Sequence, residues 1–351
     1  MSAYAPTIRA QAWKEHIERN CTGLRFRLSV PGKELTTFGL GGDVALLVEA
    51  ATSEGLISLL PLLQKHGIPW RIMGAGSNLV IPDRGVEEVV LRLGKELSGY
   101  LCGDKITTEI EGITEQCLRA QGKEGAGIDG AGDCLNILVF AGASLMGLSR
   151  KLSAAGYSGL EFAAGIPASM GGAVRMNAGA HGHSISEVVK AVLVADADGG
   201  MRRLSVSELD FGYRHSSILA NTIVLAAELE LHRKDPEVIW RERSKCLEYR
   251  RNTQPLHLPS AGSAFRNPSP PSKSAGKMPM DDLPAAAKLL EQAGLKGLRC
   301  GGVCFSELHA NWLVKIGDEA RADDVHFLLE TAREKIRDTY AHDLKPEIIL
   351  W

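Results

Sequence analysis

Residues 159–182 read GLEFAAGIPASMGGAVRMNAGAHG, with six glycines and neither a helical nor a strand period. An unpatterned run of this length inside a compact domain is either functional or disordered. Ile166, Met170, Val174 and Met176 are apolar and need burial, which favours order. Gly165, Gly171, Gly172 and Gly179 let the backbone approach a ligand closely, and Pro167 stiffens the path. Ser169 and Asn177 add hydrogen-bonding groups. An ordered loop that cradles a phosphate fits these residues best.

The segments on either side of this loop alternate between strand and helix patterns. Val44–Ala50 reads as a buried strand, followed by a helix capped at Thr52 or Ser53 and closed at Gly67; Pro61 should kink or break it. PWRIMGAGSNLVI gives strand, glycine turn and strand, and Val89–Leu93 a further short strand. LNILVFAGASL is strand-like, and the helix after it closes at Gly156. KAVLVADADGGMRRLSV reads as a hairpin with a Gly-Gly turn, and Thr222–Leu231 as another strand. Composition changes near 233, where a basic helix leads into a stretch rich in Pro, Ser and Gly. The last helix aligns Val325, Leu328, Leu329, Ala332, Ile336 and Tyr340 on one face, and PEIILW closes the chain as a strand.

A chain of 351 residues exceeds a typical single core, so two or three domains are expected. A net charge of −2 supplies no bulk field for nucleic acid or an anionic membrane, so an anionic ligand must be held by local arrangement. The first twenty residues mix both charge signs and resemble no secretory signal, and no run is apolar enough to span a bilayer. The seven scattered cysteines form no CxxC pair and suit reduced thiols in a cytoplasm. His181 with His183, and Cys300 with Cys304, lack further ligands at suggestive spacing, so no metal is expected.

Several motifs carry chemistry. Gly74-Ala75-Gly76-Ser77-Asn78 follows a strand, but Leu79 stands where a dinucleotide fingerprint needs glycine, and a strand follows where it needs a helix. A bare tight turn and a phosphate-binding turn both satisfy that pattern. In FGYRHSS (211–217), Arg214 lies beside Tyr213 and two hydroxyls; arginine suits bidentate binding of a carboxylate or phosphate, and a surface arginine is the alternative. Ser263 lies between small residues with no GxSxG elbow, so a hydrolase triad is unsupported. Glu347 precedes Ile348, Ile349 and Leu350; an apolar setting would raise its pKa, while an edge position would leave it in water.

Taken in order, the motifs TTFGLGG (36–42), GAGSNLV (74–80), the 159–182 stretch, FGYRHSSI (211–218), QP and SAGSAFRNP (254–268), AGLKG (293–297), HAN (309–311) and KPEI (345–348) resemble the UDP-N-acetylenolpyruvoylglucosamine reductase family. The resemblance runs from about residue 30 to the C-terminus. It implies an α+β fold with an FAD-binding domain of the vanillyl-alcohol-oxidase/PCMH type in two subdomains (1–95 and 96–233), then a C-terminal α+β substrate domain (234–351). Residues 96–134 and 268–282 are longer than the family pattern, Lys315 stands where asparagine is expected, and Gln254 before Pro255 resembles the variant lacking an extra lid loop.

The same resemblance implies FAD as cofactor, NADPH as reductant and a UDP-sugar enolpyruvyl ether as substrate. Gly74, Ala75, Gly76, Ser77 and Asn78, with Gly165, Ile166, Pro167, Ser169, Gly172, Asn177 and Gly179, would hold the FAD pyrophosphate. Arg214 and Glu347 would polarise the enolpyruvyl carboxylate, Ser263 would deliver a proton, and Tyr213 and Asn267 would contact substrate. Hydride addition to the methylene leaves enolate charge on the carboxylate, which calls for a fixed cation and an acid there; the flavin does the redox work. A cytoplasmic enzyme of peptidoglycan precursor synthesis, monomeric and without nucleic-acid or membrane partners, is the expectation. The rivals are another flavin-dependent oxidoreductase of the same fold, which would lack the AGS and terminal PE motifs, and a non-catalytic flavin- or UDP-sugar-binding regulator, which would have lost Ser263, Arg214 or Glu347.

Overall fold

The computed structural model describes residues 4–102, 133–268 and 285–351. Most of the 96–134 extension, nearly all of the 268–282 extension and Cys117 therefore lie outside the described residues. Contacts divide the chain into two compact units: residues 1–30, 44–75 and 87–249, and residues 31–43, 76–86 and 250–351. This differs from the sequential division at 95 and 233. The C-terminal unit also draws in the TTFGLGG motif and the 76–86 turn, and the boundary after Tyr249 falls inside the basic helix Pro236–Thr253. A linear reading of composition cannot see such returns of the chain.

In the first unit, a four-stranded sheet orders Leu24–Pro31, Asp43–Ala50, Val86–Leu93 and Trp70–Met73, the last two paired in parallel. A six-stranded antiparallel sheet centres on Ile223–Arg233, flanked by Val189–Ala195 and Cys134–Phe140. Its central strands are apolar almost throughout because each face carries its own core. Ile137, Val139, Val192, Val194, Ala227 and Leu229 enter one core; Leu138, Phe140, Leu193, Ala195, Leu225 and Ala226 enter the other.

The helix Ser53–Lys65 buries Leu56, Leu59, Leu60 and Leu63, one stripe of an amphipathic helix. Thr52 caps it, accepting from Gly55 N at 3.0 Å. Pro61 does not break it: the helix runs on through the proline to Lys65. The expected hairpin forms, but its connection is Asp196–Gly200 with Ala195 opposite Met201, and only Gly199 has a positive φ, so the turn is not a Gly-Gly pair.

In the second unit, Ser260–Ser263, Trp312–Lys315, Val303–Phe305 and Arg299–Cys300 form an antiparallel sheet. Ala322–Tyr340 packs Val325, Leu328, Leu329, Ala332 and Ile336 into its core together with Phe38, Leu40 and Val80. The closing strand Ile349–Leu350 pairs in parallel with Leu79–Val80. Lys315, where the family pattern has asparagine, donates to the Gly39 carbonyl at 3.4 Å. The described cysteines stand outside any disulfide.

Candidate active site

The first unit contains a cavity of about 550 Å³. Its wall begins where the strand Trp70–Met73 runs into Gly74 and Ala75, and continues through Ala141, Gly142 and Ser144 and through Pro167–Ser169, Gly171 and Gly172. The two loops are laced together: Leu145 N donates to Ala168 O (2.9 Å), Met170 N to Ala143 O (2.8 Å) and Gly171 N to Ala141 O (2.9 Å). The 159–182 stretch is thus ordered. It also contains a short helix, Met170–Arg175, capped by Ser169, and a hairpin of Gly179–Ala180 with His183–Ser184, neither of which periodicity reveals in so short a span. A Cβ on Gly74 would sit 2.5 Å from Ser169 Oγ, so a side chain there would displace the hydroxyl that caps the Met170–Arg175 helix.

The charged lining was not foreseen. Arg92 donates twice to Glu49 Oε1, at 3.0 and 2.6 Å, and Lys95 lies on the same wall. Arg175 also lines the cavity; burial pushes its pKa down. No carboxylate among the described residues pairs with it. Its guanidinium donates to the carbonyls of Ile218 (3.3 Å), Leu219 (3.0 Å) and Thr222. Thin glycine walls and a cationic lining suit a long anionic cofactor, so the residues present fit FAD.

The sequence-predicted cofactor residues divide. Gly74, Ala75, Pro167, Ser169 and Gly172 line the cavity; Gly165, Ile166, Asn177 and Gly179 do not. Asn177 is buried with a positive φ, its Nδ2 donating to Gly212 O (2.8 Å) and its Oδ1 accepting from Ser186 N (3.2 Å). Gly76, Ser77 and Asn78 belong to the other unit. A Cβ on Gly76 would lie 2.1 Å from Leu35 O, and its carbonyl accepts from Thr37 N (3.1 Å), so the GAGSN turn is shaped by the TTFGLGG segment. Asn78 Nδ2 donates to the Glu347 carbonyl at 3.0 Å.

Arg214 sits in a tight turn in which Gly212 and His215 exchange backbone hydrogen bonds of 3.0 and 3.1 Å. Its φ of 54° is costly for a residue with a side chain and recurs at functional positions. Its guanidinium lies 5.3 Å from the Tyr213 ring centre. The neighbouring hydroxyls are structural: Ser216 Oγ donates to Arg175 O (2.8 Å) and Ser217 Oγ to Glu208 O (2.6 Å).

In the second unit, Ser263 and Glu347 come from segments that meet. Glu347 N donates to the carbonyl of Ala264, next to Ser263, at 2.9 Å, and Phe265 bridges Pro346. Gly262, with a φ of 80°, turns the chain into Ser263, which pairs with Trp312. Glu347 is half-buried, beside buried Ile348 and ahead of exposed Ile349 and Leu350. Asn267 accepts from Ala286 N at 3.0 Å, at the start of the helix Ala286–Gln292.

Comparisons with known proteins agree with this geometry. The FAD binding domain family matches residues 131–205, and the UDP-N-acetylenolpyruvoylglucosamine reductase C-terminal domain family matches 254–351. Fold and cavity together define an FAD-dependent oxidoreductase of the α+β class. The chain is 37% identical over 315 residues to a UDP-N-acetylenolpyruvoylglucosamine reductase of Anoxybacillus flavithermus, covering 89% of this chain and 90% of that one. A reductase of the same name from Heliobacterium modesticaldum is 38% identical over 319 residues, covering 91% and 88%. The crystal structure of the UDP-N-acetylenolpyruvylglucosamine reductase of Thermus caldophilus superposes with a TM-score of 0.68 at 32% identity, over 93% of this chain and 99% of that one. The chain belongs to the UDP-N-acetylenolpyruvoylglucosamine reductase family.

Proposed function

We propose that this protein reduces UDP-N-acetylglucosamine enolpyruvate to UDP-N-acetylmuramate, with NADPH as reductant and FAD as bound cofactor, in peptidoglycan precursor synthesis. The observation that carries the proposal is the match to reductases of this name over 89% of the chain; Arg214, Ser263 and Glu347 are all present in this sequence. A cytoplasmic location and a monomeric chain belong to the same reading.

FAD, when bound, supplies the two-electron chemistry that links nicotinamide to sugar. The chain's own residues do the rest. Arg214, and Glu347 in its protonated form, bind the enolpyruvyl carboxylate and stabilise the enolate charge that develops there as the methylene carbon gains a hydride. Ser263 gives its hydroxyl proton to the carbon bearing the ether oxygen; the hydroxyl is a weak acid, but the enolate is basic enough to take the proton. Tyr213 and Asn267 complete the substrate contacts in this reading.

The test is an anaerobic absorption spectrum of the purified protein with NADPH and then the enolpyruvyl sugar. Flavin bands that bleach with NADPH and return with the sugar are the expected result. Bleaching without return would discard the substrate and keep the flavoenzyme; a colourless protein that takes up no FAD would sink the reading.

A further inference from the structure

Arg175 lies in the 159–182 stretch, where the sequence reading gave it no role, yet it touches two parts of the first unit. On one side it lines the cavity, whose wall also carries the Glu49–Arg92 pair and Lys95. On the other it holds the segment that follows the Arg214 turn: its guanidinium reaches the carbonyls of Ile218, Leu219 and Thr222, and its own carbonyl accepts from Ser216 Oγ. Two residues on, Asn177 holds the Gly212 carbonyl. Residues 212–222 therefore hang from 175–177 at both ends, while none of them lines the cavity.

We infer that Arg175 is a positioning residue that couples occupancy of the FAD cavity to the placement of Arg214. The inference rests on the flavoenzyme reading above. Glu49, the acidic group on the cavity wall, is engaged by Arg92, so the charge of Arg175 is met by carbonyl dipoles alone among the described residues. A half-buried cation in this state is incompletely compensated, and a cofactor phosphate in the cavity would supply the missing anion. Anion binding anchors the guanidinium, and a planar fork already bonded to neighbouring carbonyls passes that restraint to 212–222. By linkage the effect is reciprocal: whatever loosens that segment also weakens cofactor binding. Lysine keeps the charge but cannot reproduce the fork.

The test is hydrogen exchange by mass spectrometry on the full chain, FAD-depleted and FAD-reloaded, following the amides of Gly212, His215, Ser217 and Thr222, all hydrogen-bonded in this segment. In the wild type, FAD should slow their exchange on the order of tenfold. In Arg175→Met, FAD should slow it less than about twofold, within the range of no coupling, while the strand 223–233 keeps its protection and so reports an intact fold. Arg175→Lys should behave like Arg175→Met here and, once reloaded with FAD, lose rate in reoxidation by the sugar; it carries the test alone if the methionine variant does not fold. Equal FAD-dependent protection in wild type and variants would overturn the inference, as would FAD binding to the wild type without protection of 212–222. A wild type that binds no FAD fails earlier and differently, at the flavoenzyme reading itself.

Discussion

The side chain of Asn311 grips the backbone of Phe265 at both ends: Oδ1 accepts from Phe265 N and Nδ2 donates to Phe265 O, each at 2.8 Å. With the bond from Ala264 N to Asn311 O, also 2.8 Å, this reproduces a piece of strand pairing immediately after Ser263. Glu347 N holds the Ala264 carbonyl from its own segment, so the candidate proton donor is fixed by partners far away in the chain. Asn311 is buried, so losing it strands two polar backbone groups. We expect Asn311→Ala to cost about 2–4 kcal/mol in chemical denaturation, from two unsatisfied groups at about 1–3 kcal/mol each. A loss below about 0.5 kcal/mol, the level of an ordinary surface change, would mean the grip is replaceable.

Ser263→Ala tests the proton donor. Flavin reduction by NADPH should be unchanged, while reoxidation by the enolpyruvyl sugar should slow by roughly three orders of magnitude, the upper range for a positioned acid. Equal losses in both half-reactions would assign Ser263 a structural role.

Arg214 pays for its position with a left-handed backbone. Arg214→Gly relieves that strain, so the variant should match or exceed the wild type in stability by about 1 kcal/mol. Its reoxidation half-reaction should nonetheless collapse, because the lost charge stabilises a transition state. A variant with undiminished turnover would remove Arg214 from the site.

Gly74→Ala places a methyl 2.5 Å from Ser169 Oγ on the cavity wall. Purified Gly74→Ala should contain little flavin, measured by absorbance against protein. Adding Ser169→Ala removes the clashing oxygen and should restore part of the content. Failure of the double variant to recover would locate the damage elsewhere than this contact.

His309 offers a pH test. Burial holds its pKa below the usual imidazole value, and its Nδ1 accepts from Asn311 N at 3.2 Å. The folded state therefore favours the neutral ring. The unfolded chain binds the proton more readily, so the contribution is present above pH about 6.5 and is lost as pH falls below it. His309→Asn keeps an acceptor but does not titrate, and its melting temperature should fall less than that of the wild type between pH 7 and pH 5. Parallel declines would exclude His309 as the group responsible.

Much of this was written locally. The leucine stripe of Ser53–Lys65, the apolar strands around Ile223–Arg233 and the face of Ala322–Tyr340 follow from the periodic burial of each segment's own side chains. The glycine-rich character of the cavity wall was legible too, because Gly74 and Gly172 stand in motifs whose composition suits close approach. Arg175 was not: it is one of 40 basic residues, and nothing local marks it as lacking a carboxylate partner. The backbone partners of Asn177, Ser216 and Asn78, the carbonyls of Gly212, Arg175 and Glu347, were not legible either.

The amino-acid sequence by itself determined which of the longer segments become strands and helices, and which residue types are available for phosphate, carboxylate and proton. Only the tertiary structure decided that residues 31–43 and 76–86 join the C-terminal unit, that Ile349–Leu350 pairs with Leu79–Val80, and that Asn311 and Glu347 frame Ser263. Local patterning records how a residue buries itself. A hydrogen-bond partner hundreds of residues away leaves no trace in that pattern, because the choice is made by segments that meet only when the chain has folded.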